Sequence, residues 1–366
     1  MKDISYYRLD DPVTYKQLDP TSFQDRLRNL PTQCMLAWSQ ASNLNIPADF
    51  QNAKNVLLVG MGGSAIGGEL IKDLAALENS PNIEVCRDYQ IPAHINKESL
   101  VIVSSYSGNT DESIQAFQSA MQRKAHVLAI TAGGRLYDIA TSEGVPLFKI
   151  DYVGEPRTAL GYSFLTPLAI LQNLKIISPK DQDVEEAIRI VTDLSTCLAP
   201  DVPINQNPAK ELATNLHGKL IVIFGGGLFS GVARRWKTQF NENSKAWAFS
   251  ELLPDAGHNT IVGLKWPKAM SRRTSSVFLN SLSLNHRIRV TYQVLGEFIK
   301  KSGGTYNVID GIGKGALAQI LSAIMFGDYT SYYLALLNGE DPAPVTPIEH
   351  LKDRLSPYDS IKQPGW

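Results

Sequence analysis

The chain has 366 residues, of which 43% are hydrophobic and 19% charged, with a formal net charge of −1. That is enough length for two or three domains with a sizeable core. The balanced charge carries no electrostatic footprint for nucleic acid or an anionic membrane, so any anionic ligand must be recognised locally.

The N-terminus, Met1 to Asp10, has no apolar core of a signal peptide, and residues 1–50 read as a mostly helical segment punctuated by Pro31 and Pro47. From Lys54 the rhythm changes. Short apolar runs at 56–59, 83–86, 100–104, 126–131 and 146–150 alternate with helical stretches at 65–76, 110–123 and 135–142. This alternation predicts a doubly wound parallel sheet over 51–163, and the continuous apolar character of 56–59 and 100–104 predicts strands covered on both faces.

Two loops in this region carry chemistry. Gly60-Met61-Gly62-Gly63-Ser64-Ala65-Ile66-Gly67-Gly68 follows the strand at 55–59, and Ser104-Ser105-Tyr106-Ser107-Gly108-Asn109-Thr110 follows the strand at 100–103. The first also fits a dinucleotide turn, with Asp88 near the end of the next strand as a possible ribose ligand. Ser and Gly are equally ordinary turn formers. The second loop favours a phosphate monoester: Ser105, Ser107 and Thr110 offer three hydroxyl donors, and Asn109 with Glu112 marks the start of a helix whose N-terminus faces the anion. Neither loop contains Lys or Arg, so the cradle would act through donors and helix dipoles.

A loop at 151–163 leads to helical patterns at 164–177 and 183–198, within a connection that spans 164–208 and ends in the proline-rich stretch 199–208. The pattern then restarts. Lys219–Phe224 reads as a strand, Gly225–Gly231 as a glycine-rich turn, and residues from Val232 onward as a helix. This repeats 55–68 at an offset of about 165 residues, which predicts a second, degenerate copy of the first domain over 209–366. Phe229 stands where the first loop has Ser64, so the second loop is expected to have lost phosphate binding. No stretch reaches about 18 apolar residues, so no membrane span is expected. Thr346, Pro347 and Glu349 form a capping-box pattern, and Ile348, Leu351 and Leu355 form an apolar stripe that places Lys352 beside a buried face of a helix over 347–355. The three cysteines and six histidines show no metal-ligand spacing; no metal and no cofactor is expected, and the cysteine pattern suits a reducing, cytoplasmic setting.

The paired loops resemble the SIS (sugar isomerase) fold, and the longer run Gly-Met-Gly-Gly-Ser-Ala-Ile-Gly-Gly with Ser-Tyr-Ser-Gly-Asn-Thr resembles the bifunctional phosphoglucose/phosphomannose isomerase family. Glu155–Tyr162, Asn241–Lys245, Gly257-His258-Asn259 and Ile348–Lys352 extend the resemblance in order from about 54 to 355. It implies two SIS-type α/β domains with flanking helices. It further implies an aldose–ketose isomerase acting on glucose 6-phosphate or mannose 6-phosphate through an enediol(ate), without a metal, in a homodimer whose active site lies at the subunit interface. By the same resemblance Glu242 is the base, Arg157 stabilises the enediolate, and His258 and Lys352 open the sugar ring, with His258 supplied by the neighbouring subunit. Gly63, Ser64, Ser105, Ser107 and Thr110 match the sugar-phosphate-binding positions. Two positions depart from the family pattern: Asp255 and Thr260 stand where the family has Glu. A non-catalytic phosphosugar sensor, and more distantly an NAD-dependent dehydrogenase, are the competing readings.

Overall fold

The computed structural model describes residues 8–355. Two parallel sheets organise them. The first has the order β2-β1-β3-β4-β5, built from Asn55–Val59 (β1), Asn82–Cys86 (β2), Ser99–Ser104 (β3), His126–Thr131 (β4) and Leu147–Lys149 (β5). The second has the order β7-β6-β8-β9, built from Leu220–Gly226 (β6), Ala248–Leu253 (β7), Thr274–Asn280 (β8) and Thr305–Asp310 (β9). Every pairing is parallel.

The predicted doubly wound α/β architecture is therefore present twice. β1 pairs with β3 through Val59 and Val103, and β6 pairs with β8 through Phe224 and Phe278. The backbone repeats in detail as well: Gly62 and Gly227, 165 positions apart, both have φ +50°. In the first sheet, alternate residues face opposite sides. Val56, Leu58, Leu100, Ile102, Leu128 and Ile130 enter the large core shared with the helices Gly62–Ala75 and Leu160–Asn173. Leu57, Val59, Val101, Val103, Val127 and Ala129 form a second cluster with the helices Asp111–Gln122 and Gly134–Ser142.

Three expectations need correction. The helix read at 164–177 is Leu160–Asn173, with Leu160–Leu171 wholly buried. Apolar on every side, it shows no periodicity to locate its start. The helix Asp111–Gln122 is capped at Thr110, and Asn109 Oδ1 instead accepts from Arg135 N at 3.1 Å. At the C-terminus Thr346 is the first helical residue, and the Val345 carbonyl takes the Ile348 amide at 2.8 Å.

The element that joins the two sheets is the helix Ala316–Asn338, 23 residues long. Its length and apolarity would suffice to cross a membrane, but 94% of that window is buried inside the protein, so it serves as the central core helix. It packs against Asp181–Cys197, Pro208–Leu216 and Ser230–Glu242. Across the two domains, the first helices of the repeats also pack together, with Gly231 N donating to Asp73 Oδ2 at 2.5 Å.

One contact fixes how the loops after β1 lie. A Cβ at Gly67 would fall 1.9 Å from the Ser163 carbonyl oxygen, so the helices Gly62–Ala75 and Leu160–Asn173 touch backbone to backbone. Gly67→Ala should lower unfolding free energy by about 1–3 kcal/mol or more through this overlap. Urea denaturation checks it, and an unchanged midpoint would contradict the contact.

Candidate active site

The carboxyl ends of β1 and β3 meet where the winding of the first sheet reverses, the place where ligands bind in open α/β sheets. The order is the flavodoxin-like one and not that of the dinucleotide halves. Both predicted loops leave from this point, and their side chains are tied together. Ser64 Oγ accepts from Tyr106 N at 3.1 Å, Ser105 Oγ is bonded to Thr110 Oγ1 at 3.1 Å, and Ser107 Oγ accepts from Asn109 N at 3.2 Å. The helices Gly62–Ala75 and Asp111–Gln122 begin here, and no side chain caps the N-terminus of either one. Two helix starts without a side-chain cap and four hydroxyls thus lie along the two linked loops, an arrangement suited to an anion.

The loops themselves contain no cation, as read. Folding nevertheless brings Arg87 and Arg135 beside the two helix starts. Each is already paired, Arg87 with Glu69 and Arg135 with Asp111 at 3.1 Å.

Gly63 has a further function. A Cβ there would lie 2.8 Å from the Pro156 carbonyl oxygen and 3.0 Å from Arg157 Cα. The absent side chain lets the Pro156–Thr158 turn rest directly on the cradle. Tyr106 fastens the same segment: its hydroxyl donates to the Tyr152 carbonyl at 2.7 Å and accepts from Gly154 N at 3.2 Å. From the N-terminal helices, Gln33 Nε2 donates to the Thr158 carbonyl at 3.0 Å and Arg26 pairs with Glu155 at 3.0 Å.

Arg157 is 4% exposed. Its Nε donates to Asn243 Oδ1 at 2.7 Å, and Nη2 donates to the carbonyls of Pro342 and Ala343 at 2.8 and 2.7 Å. The guanidinium lies over the Phe23 ring at 5.3 Å. Burial pulls its pKa downward and Glu242 and Glu155 oppose that pull; an arginine remains charged throughout. Three of its five N–H bonds are therefore spent on the protein. The remaining two, on Nη1, face Glu242 Oε2 at 3.7 Å.

Glu242 ends the helix Ser230–Glu242 and is partly exposed. The turn after it is anchored to the central helix. Asn243 Nδ2 donates to Ser331 Oγ at 3.0 Å, and Ser244 Oγ donates to the Ser331 carbonyl at 2.6 Å. Arg235 Nη2 bonds both the Arg157 carbonyl, at 3.1 Å, and Asp328 Oδ2, at 2.6 Å. Burial raises the Asp328 pKa while Arg235 lowers it. The base and cation named from sequence are thus adjacent, although 85 positions separate them. Asn243, Tyr106, Asp328 and Ser331 support them and were not singled out from sequence. Asn243 lies inside the Asn241–Lys245 block and Tyr106 inside the second loop, which was the available signal.

His258 and Lys352 are not part of this cluster. Both are exposed, and among the described residues no hydrogen bond or ion pair links either one to Arg157 or Glu242. The buried stripe expected beside Lys352 is also corrected: Ile348, Leu351 and Leu355 are 40%, 57% and 51% exposed, and no residue of their helix is buried. The periodicity is real, but among the described residues nothing covers it. Near His258 the departure from Glu at 260 has a local counterpart, because Thr260 Oγ1 donates to Glu251 Oε2 on β7 at 3.0 Å. The described residues contain no group of three His, Cys, Asp or Glu side chains that could hold a metal.

In the second domain Phe229 takes the position that Ser64 holds in the first. Phe229 is fully buried, and a Cβ at Gly311 would meet its Cζ at 2.7 Å. Ser281 there is bonded to Gln319.

Residues 49–135 match the SIS domain family, and residues 205–355 match the family described as the bacterial phospho-glucose isomerase C-terminal SIS domain. The chain is 37% identical over 329 residues to a bifunctional phosphoglucose/phosphomannose isomerase of Caldicellulosiruptor bescii, covering 90% of this chain and 97% of that protein. It is 35% identical to the protein of the same name from Thermoplasma acidophilum, covering 82% and 90%. A crystal structure of a hypothetical protein from Thermus thermophilus superposes with a TM-score of 0.71 at 15% identity, over 98% of this chain and 94% of that one, and shares the fold. With two SIS domains, and alignment along nearly the full length of its relatives, the chain belongs to the bifunctional phosphoglucose/phosphomannose isomerase family.

Proposed function

We propose that the protein interconverts glucose 6-phosphate, mannose 6-phosphate or both with fructose 6-phosphate by proton transfer between C1 and C2. The observation that carries this reading is the placement of Glu242 Oε2 3.7 Å from Arg157 Nη1, beside a cradle of hydroxyls and helix N-termini.

The phosphate would sit in the cradle, accepting from Ser64, Ser105, Ser107 and Thr110 and from the amides of the two helix starts. This remote binding orients the C1–C2 end toward Glu242. The carboxylate takes the proton from C2 of the aldose as the C1 carbonyl oxygen gains negative charge. The two unspent Nη1 protons of Arg157 stabilise that oxygen, so an enediol(ate) forms. The O2 hydroxyl proton passes to O1, and as the C2 carbonyl forms Glu242 returns its proton to C1, giving the ketose. The step needs a base and a fixed cation, and this reading routes nothing through a metal.

Ring opening falls to His258 and Lys352. The lack of any bond, among the described residues, from either one to Arg157 or Glu242, together with the exposed Ile348, Leu351 and Leu355, supports assembly as a homodimer in which His258 reaches the site of the neighbouring copy. The mannose and glucose forms share the phosphate and the C1–C2 chemistry and differ at C2 alone, in the face that carries the proton.

A coupled assay on both epimers tests the reading. Glu242→Gln should cut kcat by about 10²- to 10⁴-fold with either substrate. Tight fructose 6-phosphate binding without turnover by the wild type would instead establish a sensor. Arg157→Lys should also lower kcat at least about 10²-fold, because an ammonium cannot satisfy three protein acceptors and keep two donors for the substrate. A wild-type rate in that variant would remove Arg157 from the chemistry. Mixing inactive Glu242→Gln and His258→Ala proteins should restore activity through hybrid dimers with one intact site. Failure to recover any activity from exchanged subunits would place His258 outside its neighbour's site.

A further inference from the structure

Lys245 has no part in the chemistry above. Its backbone is left-handed, φ +52°, a region that residues with a Cβ rarely occupy without a local reason. Although the residue is exposed, its ammonium makes three hydrogen bonds. Nζ donates to the carbonyls of Asn243 at 3.2 Å, Asp341 at 2.6 Å and Pro342 at 3.2 Å. All three ammonium protons are thereby used on backbone oxygens. The Pro342 carbonyl is the same one that accepts from Arg157 Nη2. Two cations from the two domains thus grip one short turn, three residues before the helix that carries Lys352.

We propose that Lys245 is a positioning residue for the isomerisation: its ammonium fixes the 341–343 turn against the turn after Glu242, and so keeps Arg157 Nη1 directed at the Glu242 carboxylate. This rests on the reading of Glu242 and Arg157 as the base and the enediolate-stabilising cation. Without Lys245 the Pro342 carbonyl is held by Arg157 alone, and the turn can shift under the guanidinium fork. No hydrogen bond among the described residues joins this turn to the loops after β1 and β3, on which the phosphate would rest. The loss should therefore fall on kcat and spare KM.

The clamp has a pH dependence of its own. The charged groups facing Lys245 are Arg157 from the Pro156–Thr158 turn, Glu242 from its helix end, and Glu340 and Asp341 from the C-terminal turn. Burial and then Arg157 push the ammonium down to about 8, against the pull of the three acids. Deprotonation removes a donor and leaves a lone pair among three carbonyls. The clamp is complete below that pH and is lost above it. An arginine at 245 would stay charged throughout.

The test is kcat and kcat/KM from about pH 6 to about pH 10 for wild type, Lys245→Arg and Lys245→Met, since kcat/KM reports the free enzyme. Wild-type kcat/KM should fall above about pH 8. Lys245→Arg should carry that limb upward by more than about one pH unit. At neutral pH, Lys245→Met should lose about 10- to 100-fold in kcat with KM within about threefold, and calorimetry should show retained fructose 6-phosphate binding. The inference is overturned if Lys245→Met keeps wild-type kcat, or if the wild-type and Lys245→Arg alkaline limbs coincide. Glu242→Gln, run alongside, separates the two failures: full turnover there sinks the underlying reading, whereas its inactivity beside an unaffected Lys245→Met sinks this inference alone.

Discussion

The buried guanidinium of Arg157 is the constraint around which the molecule is arranged. A cation removed from water is tolerable only when its donors are met. Here the acceptors come from widely separated parts of the chain: Asn243 after the first helix of the second domain, and Pro342 and Ala343 after the central helix. The turn that bears it rests on Gly63 and is held by Tyr106, Gln33 and Arg235. Meeting the hydrogen-bonding needs of one side chain therefore requires both sheets, the N-terminal helices and the C-terminal turn to be in place. The same bonds leave two protons free, and they point toward Glu242.

That dependence explains why two copies of one fold have diverged. The sheets share a winding order and even the φ +50° glycine at the first turn. The first copy keeps small residues at the loop. The second has Phe229 in place of Ser64, fully buried and with its ring tip against Gly311. The second domain brings the end of its first helix, with Glu242 and Asn243, against the turn that bears Arg157. The packing of Gly62–Ala75 on Ser230–Glu242 sets that approach.

Several features of this arrangement were legible in residue order alone. Apolar runs alternating with helices marked both sheets, and the offset of 165 positions marked the repeat. The two Ser- and Gly-rich loops were legible because their residues are contiguous in sequence and each loop follows a strand. Element ends were less so. The start of Leu160–Asn173 was missed because a helix buried on all sides shows no periodic face, and the cap at Thr110 was misplaced because Asn109 makes a tertiary bond to Arg135 instead. Ile348, Leu351 and Leu355 were correctly read as a helical stripe and wrongly read as covered, since a periodic pattern reports amphipathicity and says nothing of what lies against it.

By itself the sequence determined the presence of two parallel sheets, the placement of two Ser- and Gly-rich loops at strand ends and the identity of the residues that match the family, because strand length, loop composition and order are local properties. Only the tertiary structure decided that Arg157 is buried with three donors spent, that it faces Glu242 and that Lys245 grips the same turn. Those facts depend on distances between residues 85 or more positions apart, or on how a side chain fills space, and neither is written in the spacing of residue types along a chain.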